Sequence, residues 1–303
     1  MNDSSHITLL FTIPQLKLYL PGCDSTAYRD LGAFQFGNRQ WELKYLQAKD
    51  GGYDVVSTYP IKEDSRWNGA GLVVRAENDA DMAGIKKSAN EICWLLSLWG
   101  GQYVTWKGLY SQEGDSWELK ETAPTVESDE EVAVTAHALC APNMFIEKVE
   151  PYFRKYNSAF IHTIHWLCRA YTCIDARVQS LILSMVYERL VSAVYYGKTR
   201  KKAAFGKRAK YCRKIAGGTY PENLIERFIK ERNDVVHGSD KPAQPAKEYL
   251  AYLIDLTAVV YATTLALLGY GAAFSVRNHQ APVTKLYRDI PKLSSHRLNF
   301  NYK

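Results

Sequence analysis

Two hydrophobic rhythms divide this chain. Up to about residue 125, short runs alternate apolar and polar side chains, as in Ala33-Phe34-Gln35-Phe36 and Trp41-Glu42-Leu43-Lys44-Tyr45-Leu46. Turn-forming residues separate the runs at Gly22, Gly32, Gly37-Asn38, Asp50-Gly51-Gly52 and Asn68-Gly69. A period of two with such punctuation predicts antiparallel strands in a sandwich or barrel, and Asp50-Gly51 predicts a hairpin. One segment departs from this. Between Asp79 and Trp99, apolar residues recur at Met82, Ile85, Ala89, Ile92, Leu95, Leu96 and Trp99, which is helical spacing closed by Gly100-Gly101. Strand-like runs return at Gln102 to Tyr110 and Ser116 to Lys120.

From Pro151 onward the rhythm is helical. The pattern predicts helices over Tyr152 to Tyr171, Asp175 to Tyr196, Ala203 to Ile215, Pro221 to Gly238 and Ala246 to Leu268. On the second of these, Val178, Leu181, Ile182, Met185, Val186, Leu190 and Val194 form the stripe expected to face the core. Between the halves, Ala123 to Val132 holds four acids (Glu127, Asp129, Glu130, Glu131) and reads as a solvated linker or an exposed hairpin tip. The tail from Tyr287 to Lys303 is basic and aromatic and is expected to be loosely held. The expected fold is therefore α+β in two domains. Residues 1–140 would be β-rich with one packed helix, and residues 141–303 all-α.

Composition narrows the class. With 47% apolar and 23% charged residues, the 303-residue chain is ordinary globular protein and not a disordered one. A net charge of +6 is too small to imply a polyanionic partner by itself, so the distribution of charge matters more. Six cysteines lie far apart with no C-x-x-C pair, which points to a reduced interior and hence the cytoplasm. The opening MNDSSHITLLFTIP lacks a basic start and is not expected to act as a signal peptide. The apolar stretch from Leu256 to Phe274 contains threonines, tyrosines and glycines and reads as a buried helix, with no membrane expected.

The densest chemistry lies in Glu231-Arg232-Asn233-Asp234-Val235-Val236-His237-Gly238, at the end of the fourth predicted helix. A guanidinium can grip phosphate oxygens bidentately, and an imidazole can move protons near neutral pH. The bland alternative is that both cations only offset the dipole at a helix C-terminus, with Arg232 pairing Glu231 or Asp234. In an α-helix, positions five apart are rotated by about 140°, so Arg232 and His237 do not share a face, whereas Asn233 and His237 do. A complete site is easier to assemble from two copies of the helix.

The string R-N-x-x-x-H at a helix end, among five helices, resembles the HEPN superfamily (higher eukaryotes and prokaryotes nucleotide-binding). DARVQSLILSMVYERL and YLAYLIDLTAVVYATTLALLG are similar to helices of its ApeA-like branch, and WLLSLWGGQYVTWKGLY looks like the β-rich domain that precedes them. The resemblance implies a homodimeric, metal-independent endoribonuclease with no cofactor, acting in abortive defence against phage on host or phage RNA, with tRNA among the candidate substrates. His237 would be the acid/base, Arg232 the phosphate clamp and Asn233 the orienting residue. It also leaves open a non-catalytic dimerisation or nucleic-acid-binding module, or a toxin held by an antitoxin. A phage trigger would act through the N-terminal domain.

Upstream of the motif runs a cationic segment. Lys198, Arg200, Lys201, Lys202, Lys207, Arg208, Lys210, Arg213 and Lys214 carry no acid between them and are interleaved with Tyr195, Tyr196, Phe205 and Tyr211. Such a pattern can track a phosphate backbone while its rings stack on bases, and it can equally be a solvated surface or a protein contact. The RNA-binding set expected here is Arg200, Lys201, Lys202, Lys207, Arg208, Lys210, Tyr211 and Arg213. His162, His165 and Cys168 have the spacing of helical metal ligands, but no fourth ligand is evident and their neighbours read as core, so no metal is expected. Glu188-Arg189 reads either as an internal ion pair or as part of the site. Walker loops, G-x-G-x-x-G fingerprints and Ser/His/Asp triads are absent.

Overall fold

The computed structural model describes residues 6–14, 16, 31–49, 52–56, 67–77, 81–113, 116–123, 134–155, 158–173, 175–199, 201–215, 222–236, 246–271, 273–278 and 283–287. They form a mixed α+β protein with two compact units. Unit 1 is Met1–Ser128 with Leu139–Glu150, and unit 2 is Asp129–Ala138 with Pro151–Lys303.

Unit 1 holds strands β1 (His6–Ile13), β2 (Ala33–Phe36), β3 (Arg39–Lys49), β4 (Gly52–Val56), β5 (Trp67–Glu77), β6 (Gly108–Glu113) and β7 (Ser116–Thr122). They make one antiparallel sheet in the order β2-β3-β5-β1-β6-β7, with β4 also paired to β3. The sandwich or barrel expected from alternation is thus a single sheet; among the described residues no pairing joins its end strands β2 and β7. Alternation sets which side chains face inward, but it does not say whether a sheet closes. The hairpins stand where the turn residues put them: Phe36 pairs with Arg39 across Gly37-Asn38, and Lys49 with Gly52 across Asp50-Gly51. Gly37 has φ 65°, a left-handed value that glycine adopts freely.

Two expectations for unit 1 are corrected. Asn68-Gly69 is not a turn but lies inside β5, where Gly69 (φ 100°) passes so close to the Ile13 and Pro14 carbonyls that no side chain fits. The run from Gln102 becomes strand only at Gly108; before it, residues 103–107 lead out of the helix in irregular backbone. That helix, α1 (Met82–Gly100), ends on Gly101 at φ 64°. It is tied down by polar bonds: the Trp106 indole donates to Asn90 at 2.9 Å, and Val104 N–H donates to Ser97 Oγ at 2.9 Å. Trp106 in turn packs edge-on against Phe11, 5.4 Å between centroids, at the middle of the sheet core with Trp41 and Leu72. The Cys93 thiol on α1 is buried, which pushes its pKa up to about 12 and makes it a packing group, not a nucleophile.

Helix α2 (Pro142–Lys155) starts earlier than expected and carries Pro151 in its interior; it and α3 (Ser158–Ala170) replace the single helix expected from Tyr152. In unit 2, α4 (Ala176–Lys198), α5 (Phe205–Ile215), α6 (Glu222–Val236) and α7 (Ala246–Leu267) follow the predicted helices closely. Asp175 caps α4, accepting from the N–H groups of Arg177 at 2.7 Å and Val178 at 3.1 Å. The all-α expectation is corrected by a three-stranded antiparallel sheet, β10-β9-β8, built from β8 (Val134–Ala138), β9 (Phe274–Asn278) and β10 (Val283–Tyr287). Their five-residue runs are too short for periodicity to reveal, and β8 finds its partner far away in sequence.

Helix α7 is the core of unit 2. Its Glu248–Leu267 stretch is the one among the described residues long and apolar enough to cross a membrane, yet 83% of that window is buried inside the protein. The acidic segment lies outside the described residues apart from Ala123, as does the tail beyond Tyr287.

Candidate functional site

The R-N-x-x-x-H motif begins on α6, and two contacts fix that helix. Phe228 is buried and meets Tyr187 of α4 edge-on at 5.5 Å and Phe205 of α5 at 5.6 Å. On another face, the Arg227 guanidinium stacks over Tyr252 of α7, 4.5 Å from the ring centroid, and donates from Nε to Glu231 at 2.9 Å. Burial, and then the nearby Glu231 carboxylate, push the Tyr252 phenol well above its ordinary pKa, so it stays neutral. Neither anchor was evident from spacing, because each depends on helices far apart in sequence.

Arg232 and Asn233 occupy the last turn of α6, where Asn233 is half-buried. His237 follows directly after the helix's last residue, Val236, and lies outside the described residues. The Glu231 carboxylate, a candidate partner for Arg232, is engaged by Arg227.

The cationic segment separates into two kinds of residue. Lys201, Lys202, Lys207 and Lys210 are exposed, and Lys207 and Lys210 stand three apart on one face of α5. Arg208 turns the other way. Its guanidinium pairs with Glu188 at 2.9 Å, donates to the Ala203 carbonyl at 2.6 Å and lies over the rings of Tyr196 and Phe205. Of the two readings of Glu188-Arg189, the internal ion pair therefore belongs to Glu188, with Arg208 as its partner. Tyr211 packs edge-on against buried Tyr195 at 5.5 Å, with the Lys198 ammonium 6.0 Å from its centroid. Arg200 and the side chain of Arg213 lie outside the described residues.

The helical metal spacing gathers no site. Cys168 is fully buried, and burial, followed by Arg169 and His162, lowers the pKa of His165. Among the described residues no group of three His, Cys, Asp or Glu side chains is placed to hold a metal. His137 sits 3.0 Å from the Thr135 hydroxyl, two residues away along the same face of β8.

A cavity of about 540 Å³ opens between α3, α4 and α5, lined by Trp166, Ile182, Met185, Glu188, Arg189, Ser192 and Arg208 among others. It went unseen in the sequence because three helices contribute to it. No family model, curated protein or solved structure matches this chain.

Proposed function

We propose that this protein is a metal-independent endoribonuclease whose working unit is a pair of α6 helices from two copies of the chain. The observation that carries this reading is the placement of Arg232 and Asn233 in the last turn of α6, with His237 next after Val236. Cleavage of RNA by its own 2′-hydroxyl needs a proton acceptor, a proton donor and a cation on the phosphate. His237 supplies the proton transfer and Arg232 the charge, while Asn233, one helical turn before His237, orients the reacting groups. Because Arg232 and His237 are about 140° apart on ideal helical geometry, the second copy supplies the group that the first cannot bring round. Lys201, Lys202, Lys207 and Lys210 give the RNA backbone an exposed run of positive charge on and just before the neighbouring helix α5.

Purified protein incubated with RNA in EDTA tests this reading. Cleavage is expected to persist without metal, and His237→Ala is expected to lower its rate by about 10²–10⁴-fold at unchanged oligomeric state. Cleavage by His237→Ala at the parent rate overturns the assignment. RNA retention by the lysines without any cleavage would leave a binding module instead.

A further inference from the structure

The cavity between α3, α4 and α5 shows a polarity gradient along α4. Ile182 and Met185 stand at one end, and Glu188, Arg189 and Ser192 follow at successive turns of the same stripe. Trp166 of α3 adds an indole to the wall, and its side chain and that of Met185 are more than half exposed, at 53% and 56%. Two such groups left uncovered beside a concave surface give a ligand apolar area to cover.

The polar end holds hydrogen-bonding capacity that the chain itself does not use. Ser192 is 0% exposed, lines the cavity, and its Oγ has no hydrogen-bond partner. Ser97, Ser184, Thr257 and Thr264, also buried within helices, each donate to the carbonyl four residues back. Ser192 departs from that habit, and an unmet buried hydroxyl is costly unless something fills the need. Arg208 adds a second unmet group to the same wall, its buried Nε–H, although its two terminal nitrogens are engaged. Two donors without acceptors call for an acceptor oxygen. Arg189 and Arg208 against Glu188 leave one positive charge at this end, which suits a single anionic group.

We propose that this cavity is a binding site for a small aromatic monocarboxylic acid. The ring lies along Trp166, Ile182 and Met185, and the carboxylate accepts from Ser192 Oγ and Arg208 Nε. Aromatic rings suit this wall because indole faces and methionine sulfur both pack well against them. A dianion would exceed the available positive charge, and a neutral ring would leave both donors unmet. The site is independent of RNA cleavage, so its failure would not touch the proposed nuclease, nor the reverse.

Titration calorimetry of the full-length protein with 2-naphthoate, and with 2-naphthalenemethanol as the neutral counterpart, is the test. The acid is expected to bind about tenfold or more tightly than the alcohol, because a charge-assisted bond replaces a neutral one. Ser192→Ala is expected to weaken the acid by about three- to tenfold and to leave the alcohol within about twofold. Trp166→Ala, at a half-exposed position where folding is not at stake, is expected to weaken both by about fivefold. Equal affinity for acid and alcohol, an unchanged acid affinity in Ser192→Ala, or no saturable binding of naphthoate by the parent protein would each overturn the site.

Discussion

Helices α4 and α7 are nearly equal in length, 23 and 22 residues, and pack against each other, yet they use their apolar residues in opposite ways. Helix α7 buries apolar side chains around most of its girth, from Tyr252 through Leu267, and its hydroxyls at Thr257, Thr263 and Thr264 bond back into their own helix. Helix α4 buries Gln179, Ser180, Ser184 and Ser192 alongside Leu183 and Leu190, and exposes Val178 and Met185. Two of these polar side chains bond to neighbouring elements. Gln179 donates to the Val134 carbonyl of β8 at 2.6 Å, and the Ser180 hydroxyl meets the phenol of Tyr249 on α7. Apolar content therefore places α7 at the centre of its unit, whereas α4 combines a buried apolar side with hydrogen bonds to its neighbours and leaves apolar surface over.

That contrast can be broken at three points. Leu265→Ala on α7, fully buried, is expected to cost about 3 kcal/mol in urea-monitored unfolding; a loss under 1 kcal/mol would mean that α7 is not the core it looks to be. Gln179→Ala on α4 leaves the Val134 carbonyl without its donor inside the unit, and is expected to cost about 1–3 kcal/mol by the same measurement. Met185→Gln on the open face of α4 is expected to change stability by no more than about 0.5 kcal/mol. If Met185→Gln proved as costly as Leu265→Ala, the exposed stripe would be a packed one and the contrast would vanish.

How much of this was legible in the sequence depended on how local the cause was. Helices α1 and α4 to α7 follow from periodicity and terminators, because each is specified by its own residues and, in α4, by the Asp175 cap. The hairpins at Gly37-Asn38 and Asp50-Gly51 are local in the same sense. The stripe on α4 was half right. Val186, Leu190 and Val194 are buried, but Val178 and Met185 are not, because the Gln179 bond to β8 and the Ser180 bond to Tyr249 of α7 settle which way the first half of the helix turns. Gly69 was misplaced since a glycine between runs can serve a turn or a close backbone approach, and only the neighbouring chain at Ile13 and Pro14 decides. For the site, the residues of the motif were readable and so was the placement of Arg232 and Asn233 at a helix end. The inward turn of Arg208 was not, since its partner Glu188 sits on another helix and composition counts both kinds of cation alike.

The sheet of unit 2 has a consequence for how the chain is born. Strand β8 pairs with β9 from Val134↔Asn278 to Ala138↔Phe274, roughly 140 residues apart in sequence, with α3 to α7 between them. During synthesis those helices emerge one after another, but β8 waits for residues 274–278 before its backbone is satisfied, and the Gln179 bond to Val134 waits for β8 to settle. Closing so long a loop is slow, so unit 2 completes itself late, after its helical middle has left the ribosome. For a chain whose proposed activity would destroy RNA, that order of assembly keeps α6 in an unfinished unit until residues 274–278 have emerged.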